Sequence, residues 1–182
     1  LRHIGSHLQG HPNMNDTPGI DMTTGSLGQG ISAAVGMALA AKHWGDSYRT
    51  YCLLGDGEIE EGQVWEAAML AGNHGLDNLC LIVDNNGLQI DGTIEEVNSA
   101  NPITDKFRAF NFHVIEVSNG NDFDQLRAAF AEARQTKGSP SCIVAHTVKG
   151  KGVSFMENQV GWHGKAPNDE QYAQAMAELE EA

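Results

Sequence analysis

Short apolar runs alternate with longer segments of helical spacing along this chain, and that alternation constrains the fold more than any other feature. Residues 49–54 (RTYCLL), 79–84 (LCLIVD), 112–117 (FHVIEV) and 141–147 (SCIVAHT) read as short strands dominated by apolar residues, as expected of strands covered on both faces. Between them, residues 27–42 (LGQGISAAVGMALAAK) have helical spacing, and 61–75 form a second helix with Val64, Ala67, Ala68, Leu70 and Ala71 facing inward. Residues 105–111 suit a short helix. Asp122 is placed to cap a helix over 123–136, where Phe123, Leu126, Ala129, Phe130 and Ala133 recur at steps of three and four. A helix over 169–181 closes the chain, with Tyr172, Met176 and Leu179 on one face. The expected fold class is α/β, a parallel sheet sandwiched between helices. Residues 1–182 make one domain, with 168–182 as a C-terminal helix or linker beginning near Pro167. Ligands of such sheets sit at the carboxyl ends of the strands.

At 182 residues the chain is long enough for one sizeable core. Its formal net charge of −13 argues against general binding to nucleic acid or to anionic membranes. No apolar run approaches the roughly 20 residues that a membrane helix needs. Residue 1 is Leu, so the chain is expected to begin inside a longer protein. Cys52, Cys80 and Cys142 fit no zinc or disulfide spacing. They read as buried thiols of a reduced, cytoplasmic protein. Much of the acid is local: Glu58, Glu60 and Glu61 form one cluster, and Glu178, Glu180 and Glu181 form a second that reads as solvated helix surface.

The chemistry concentrates at two strand ends. Gly55-Asp56-Gly57 follows one strand, and Asn85-Asn86 follows the next, with Asp56 and Asn86 30 residues apart. One helical crossover takes about that length, so neighbouring strands bring both side chains to one sheet edge. A carboxylate and an amide oxygen suit a small hard cation, and magnesium completes its six oxygens from phosphates and water. Gly57 leaves room for a phosphate at the backbone. A glycine-rich turn, Thr24 to Gly30 (TGSLGQG), runs straight into a helix. Its N–H groups favour anions, although close packing explains such a turn equally well.

GDG, a helix and a strand, then NN is the thiamine diphosphate fingerprint. With GHPN, TPGIDMTTGSLGQGISAAVGMA, GDGEIEEGQVWEAAMLAG and WHGKAP, the chain resembles transketolases from His11 to about Pro167, and especially the separate amino-terminal subunit of split bacterial transketolases. The resemblance implies thiamine diphosphate with Mg2+ (or Ca2+ or Mn2+) as cofactors, and transfer of a two-carbon ketol unit between sugar phosphates. It implies that Asp56, Asn86 and the Leu88 carbonyl bind the metal, and that Gly57 touches the diphosphate. Gly25, Ser26 and Leu27 would meet the aminopyrimidine and thiazolium. His11 would line the site near the reacting carbon, and His163 would sit near the diphosphate and the substrate carbonyl. Histidine both donates and carries protons near neutral pH, so these two are the leading catalytic candidates. Lys149 would approach the diphosphate. Glu61, also counted as catalytic, and Glu66 would join a network at a subunit interface. No role attaches to Glu58 or Glu60, and His146 is open to either reading.

The chain also departs from that family. Two further histidines, the glutamate that protonates the aminopyrimidine, and the sugar-phosphate arginines all belong to parts of the family's chains that are not represented here. The expected partner is a complementary pyrimidine-binding, C-terminal domain or subunit, in a dimer or heterotetramer, and the chain alone is expected to be nearly inactive. Rival readings are deoxyxylulose phosphate synthase, dihydroxyacetone synthase and a non-catalytic partner subunit. A nicotinamide dehydrogenase is disfavoured, because no G-x-G-x-x-G opens a helix after a strand.

Overall fold

The computed structural model describes residues 1–180. Its core is a four-stranded parallel sheet made of β1 (Thr50–Gly55), β2 (Leu79–Asn85), β5 (His113–Val117) and β6 (Ser141–His146), in the order β1-β2-β6-β5. The register pairs Gly55 with Asp84, and Asn85 with His146, so three strands end side by side.

Over β2, β5 and β6 the sheet is covered on both faces because its residues alternate between two apolar clusters, whereas β1 leaves Tyr51 and Leu53 exposed on one face. On one face Leu54, Leu79, Leu81, Val83, Cys142 and Val144 meet α1 (Gln29–Trp44), α2 (Gly62–Asn73) and α4 (Ile103–Ala109). On the other, Cys80, Ile115, Val117, Ile143 and Ala145 meet α5 (Phe123–Gln135). Ala34 and Ala38 of α1 share the first cluster with Ala67, Ala68 and Ala71 of α2. Small residues there let two helices and a sheet approach closely. Phe107 is fully buried and packs on Trp65 and Phe112, with ring centroids 5.2 and 5.4 Å away. Asp122 caps α5 as expected, accepting from the N–H groups of Asp124 and Gln125.

Several expectations need correction. Leu70 is exposed on α2, and Phe123 is 74% exposed at the start of α5; the buried stripe of each helix is narrower than its apolar pattern. Cys52 is half-buried, whereas Cys80 and Cys142 are buried. The closing helix is α6 (Asp169–Glu180), and residue 181 of the expected span lies outside the described residues. Tyr172, Met176 and Leu179 are exposed, and α6 buries Ala175 instead. Glu178 is not simply solvated: it accepts from the Ser154 N–H at 2.6 Å and the Ser154 hydroxyl at 2.7 Å. Those hydrogen bonds hold its carboxyl below the usual range. A hairpin that the sequence pattern does not announce, β3 (Leu88–Gln89) with β4 (Gly92–Thr93), follows β2 and leads into the short α3 (Ile94–Val97).

No described helix is long and apolar enough to cross a membrane. Truncating Phe107 to Ala should cost about 3–5 kcal/mol, the usual penalty for emptying a filled aromatic site. A urea melt of Phe107→Ala beside wild type measures it.

Candidate active site

The site is assembled from the carboxyl ends of β1, β2 and β6 and the loops that follow them. Asp56 comes directly after β1 and is only 2% exposed. Its Oδ1 accepts from the Gly57 N–H at 2.9 Å, and its Oδ2 from the Gly87 N–H at 2.5 Å. Asn86 begins the same turn, and its Oδ1 accepts from the Leu88 N–H at 3.0 Å. The carboxylate of Asp56 thus lies against the backbone that carries Asn86 and Leu88.

Burial pushes the Asp56 carboxyl above its ordinary range, and the neighbouring charge of Asp84 adds to the rise. The N–H groups of Gly87 and Gly57 oppose it. No lysine or arginine forms an ion pair with Asp56 or Asp84 among the described residues. A buried carboxylate served by neutral donors and facing a second acid is the environment a hard cation relieves. The oxygen donors at hand (carboxylate, amide and main-chain carbonyl) match that cation.

Gly57 lies beneath the side chain of Gln89, and a Cβ there would stand 2.5 Å from Gln89 Oε1. Gln89 Nε2 is buried without a hydrogen-bond partner among the described residues. The amide oxygen, not that unpaired nitrogen, is the Gln89 atom nearest Gly57, so the room for a phosphate at this backbone comes from the missing Cβ. The residues present therefore fit a divalent cation and a diphosphate.

Two carboxylates hold the surrounding frame. Asp84 accepts from the Thr147 hydroxyl, tying β2 to the segment after β6. Glu58 accepts from the Gly28 N–H at 3.0 Å through Oε1, and from the Gly55 N–H at 3.1 Å through Oε2. It therefore staples the start of α1 to the end of β1, a role that its sequence context alone did not assign. A carboxylate immediately after a tight glycine turn can reach back to free N–H groups, and that was the available signal. The contacts of Gln89 and Thr147 left no such trace.

The glycine turn carries the rest of the predicted set. Gly25 has φ +138°, a conformation L side chains rarely adopt, and any Cβ there would overlap the His11 imidazole. The GHP segment and the Gly25-Ser26-Leu27 turn are thus in contact, with His11, Ser26 and Leu27 exposed. Glu61, the residue before α2, packs its Cβ near Gly28; it is exposed, as is Glu66 on α2. His163 follows a 3-10 turn (Val160–Trp162) and is exposed. Partial burial, then the charges of Lys149 and Arg2, pull its pKa below the ordinary imidazole range. A cleft of about 850 Å³ lies elsewhere, between the 12–27 loop, α1 and the open edge of β1. It takes in Gly25, Ser26, Leu27 and Glu58, but neither the Asp56–Asn86 pair nor His163. The polar chemistry is at the strand tips, not in that cleft.

Glu58→Ala should cost about 1–3 kcal/mol, because two N–H groups lose their acceptor; Glu58→Gln should cost less, and urea melts compare them. Lys149→Met removes a cation near His163, so the imidazolium becomes easier to form and the His163 pKa should rise toward its ordinary value, as read by an NMR pH titration.

The family model described as transketolase, thiamine diphosphate binding domain, matches residues 1–180. A 6-deoxy-6-sulfo-D-fructose transketolase subunit from Clostridium sp. (strain MSTE9) is 47% identical over 180 residues, covering 99% of this chain and 65% of its own length. A subunit of the apulose-4-phosphate transketolase from Phocaeicola vulgatus is 45% identical, covering 100% of this chain and 64% of its own length. The chain thus spans a little under two thirds of these relatives. The crystal structure of transketolase from Campylobacter jejuni superposes with a TM-score of 0.88 at 34% identity, over 99% of this chain and 29% of that one. The fold agrees with the match, and the chain belongs to the family of transketolase thiamine diphosphate-binding domains.

Proposed function

We propose that this chain is the diphosphate- and metal-binding half of a transketolase that moves a two-carbon unit between acidic sugars. The observation that carries the reading is the Asp56 carboxylate, buried and gripped by the N–H groups of Gly57 and Gly87 on the turn that bears Asn86. Asp56, Asn86 and the Leu88 carbonyl would ligate a divalent cation, with magnesium favoured because it keeps oxygen positions open for phosphates. Gly57 would lie against the diphosphate. Gly25, Ser26 and Leu27 would support the rings of the cofactor. Thiamine diphosphate bound there supplies the two-carbon-carrying chemistry.

This chain's own residues then bind, orient and move protons. His163, whose pKa is drawn below the ordinary imidazole range by partial burial and then by the charges of Lys149 and Arg2, is suited to proton transfer at its ring nitrogen. His11 lies with its imidazole against the bare backbone of Gly25. Lys149 adds positive charge on the diphosphate side. Glu61 and Glu66, with exposed Met69 and Leu70, make an α2 surface of mixed acidic and apolar character suited to a partner. That partner would be the complementary pyrimidine-binding domain or subunit, in a dimer or heterotetramer.

The relatives are named for a sulfo-sugar and for a sugar phosphate. The shared substrate class is a ketose bearing an acidic group, so the pentose phosphate sugars are one option among several. The cytoplasm is the compartment proposed, in keeping with the free thiols.

Calorimetric titration with thiamine diphosphate, with the complementary half present, tests the reading. Binding should require magnesium and weaken at least tenfold, about 1.4 kcal/mol, in Asp56→Ala. Equal affinity in the variant, or affinity indifferent to metal, would overturn it. The chain alone should show little turnover of a ketose phosphate, and mixing with the complementary half should restore it.

A further inference from the structure

Thr147 is the first residue after β6, and its side chain does not act locally. A threonine hydroxyl at such a place ordinarily bonds the nearby main chain. Here it crosses to β2 and donates to Oδ1 of Asp84, 63 residues away in sequence. Neither an ion pair nor a second hydrogen-bond donor reaches the Asp84 carboxylate among the described residues. The Thr147 N–H ties the same tip again, donating to the Asn85 carbonyl at 3.2 Å.

The direction of that hydroxyl is set from the other side, by the loop after β5. A Cβ placed on Gly120 would stand 2.6 Å from Thr147 Cγ2 and 2.9 Å from the Ala145 Cβ. The Thr147 methyl is thus seated on bare glycine backbone, and in a β-branched side chain a seated methyl leaves the hydroxyl few directions. The Gly120 N–H donates to the His146 carbonyl at 2.6 Å, and Asn121 Oδ1 accepts from the Val148 N–H at 2.8 Å. The tips of β2 and β6 and the loop after β5 therefore meet at one threonine. From there the β2 side runs straight into the metal turn. The Asp84 carbonyl accepts from the Asp56 N–H at 3.2 Å, and the Gly87 N–H reaches Asp56 Oδ2. Asp84 is held by the Asp56 main chain at one end and by Thr147 at the other.

We propose that Thr147 is a positioning residue for the metal turn: by holding Asp84 through its hydroxyl, it keeps the β2 tip, and Asn86 with it, in place against Asp56. This rests on the proposed function and names a residue that serves it without touching metal or diphosphate.

Two measurements on the full chain test it, with wild type, Thr147→Val and Thr147→Ser. Valine keeps the branched shape and removes the hydroxyl; serine keeps the hydroxyl and removes the methyl. Thr147→Ala, which also lacks the hydroxyl, carries the same expectation should valine not fold. The first measurement needs no cofactor: amide hydrogen exchange at the Gly87 N–H, read by NMR. It should quicken roughly fivefold in Thr147→Val, about 1 kcal/mol, the usual worth of one hydrogen bond. The second is calorimetric titration of thiamine diphosphate with magnesium, the complementary half present. Affinity should fall roughly fivefold in Thr147→Val. Thr147→Ser should stay within about twofold of wild type in both. A hydroxyl that only supports the fold would lower the urea midpoint and quicken exchange at residues 147 and 148 alone. Gly87 exchange or cofactor affinity unchanged in Thr147→Val therefore overturns the assignment, as do equal losses in serine and valine. Cofactor binding indifferent to magnesium in wild type would sink the functional reading instead. The exchange result would still decide whether Thr147 orders the turn, so the two failures are distinguishable.

Discussion

The carboxylate of Asp56 is the constraint around which the strand tips are arranged. It leaves water at the end of β1 and is met only by N–H groups, from Gly57 on its own turn and Gly87 on the turn after β2. Those two bonds make the turn beyond β2 part of the same structural unit as β1. The orientation of Asn86 and Leu88 follows from where Gly87 must point its N–H. An isolated buried negative charge is unfavourable, and the second acid at Asp84 worsens it. A divalent cation bound there, as proposed, would relieve that unfavourable charge.

The loops around that pair are held by side chains rather than by regular structure. Glu58 joins the α1 turn to β1, and Thr147 joins the segment after β6 to Asp84. The His11 ring rests on Gly25. Each device links segments distant in sequence, so the site is a property of the parallel topology, with three crossovers returning their strands to one edge.

Much of this was legible in the sequence, for physical reasons that differ by element. The strands 79–85 and 141–146 were readable because strands covered on both faces must be apolar. The α5 start was readable because Asp122 satisfies N–H groups that any helix leaves open. Asp56 and Asn86 were readable because one crossover fixes their separation. The β3–β4 hairpin was not, since strands of two residues carry no periodicity. Leu70 and Phe123 were misplaced because an apolar stripe says which way a helix faces but not how wide its cover is. Glu58 received no role because its partner Gly28 lies 30 residues away, across a contact that only the folded turn creates.

The edge of β1 has a consequence beyond chemistry. β1 ends the sheet, and on it Tyr51 is 47% and Leu53 70% exposed beside the apolar cleft. A bare strand margin of that kind offers main-chain donors and acceptors to any extended peptide it meets. Such a margin pairs with a further strand unless a loop, a helix or another chain covers it.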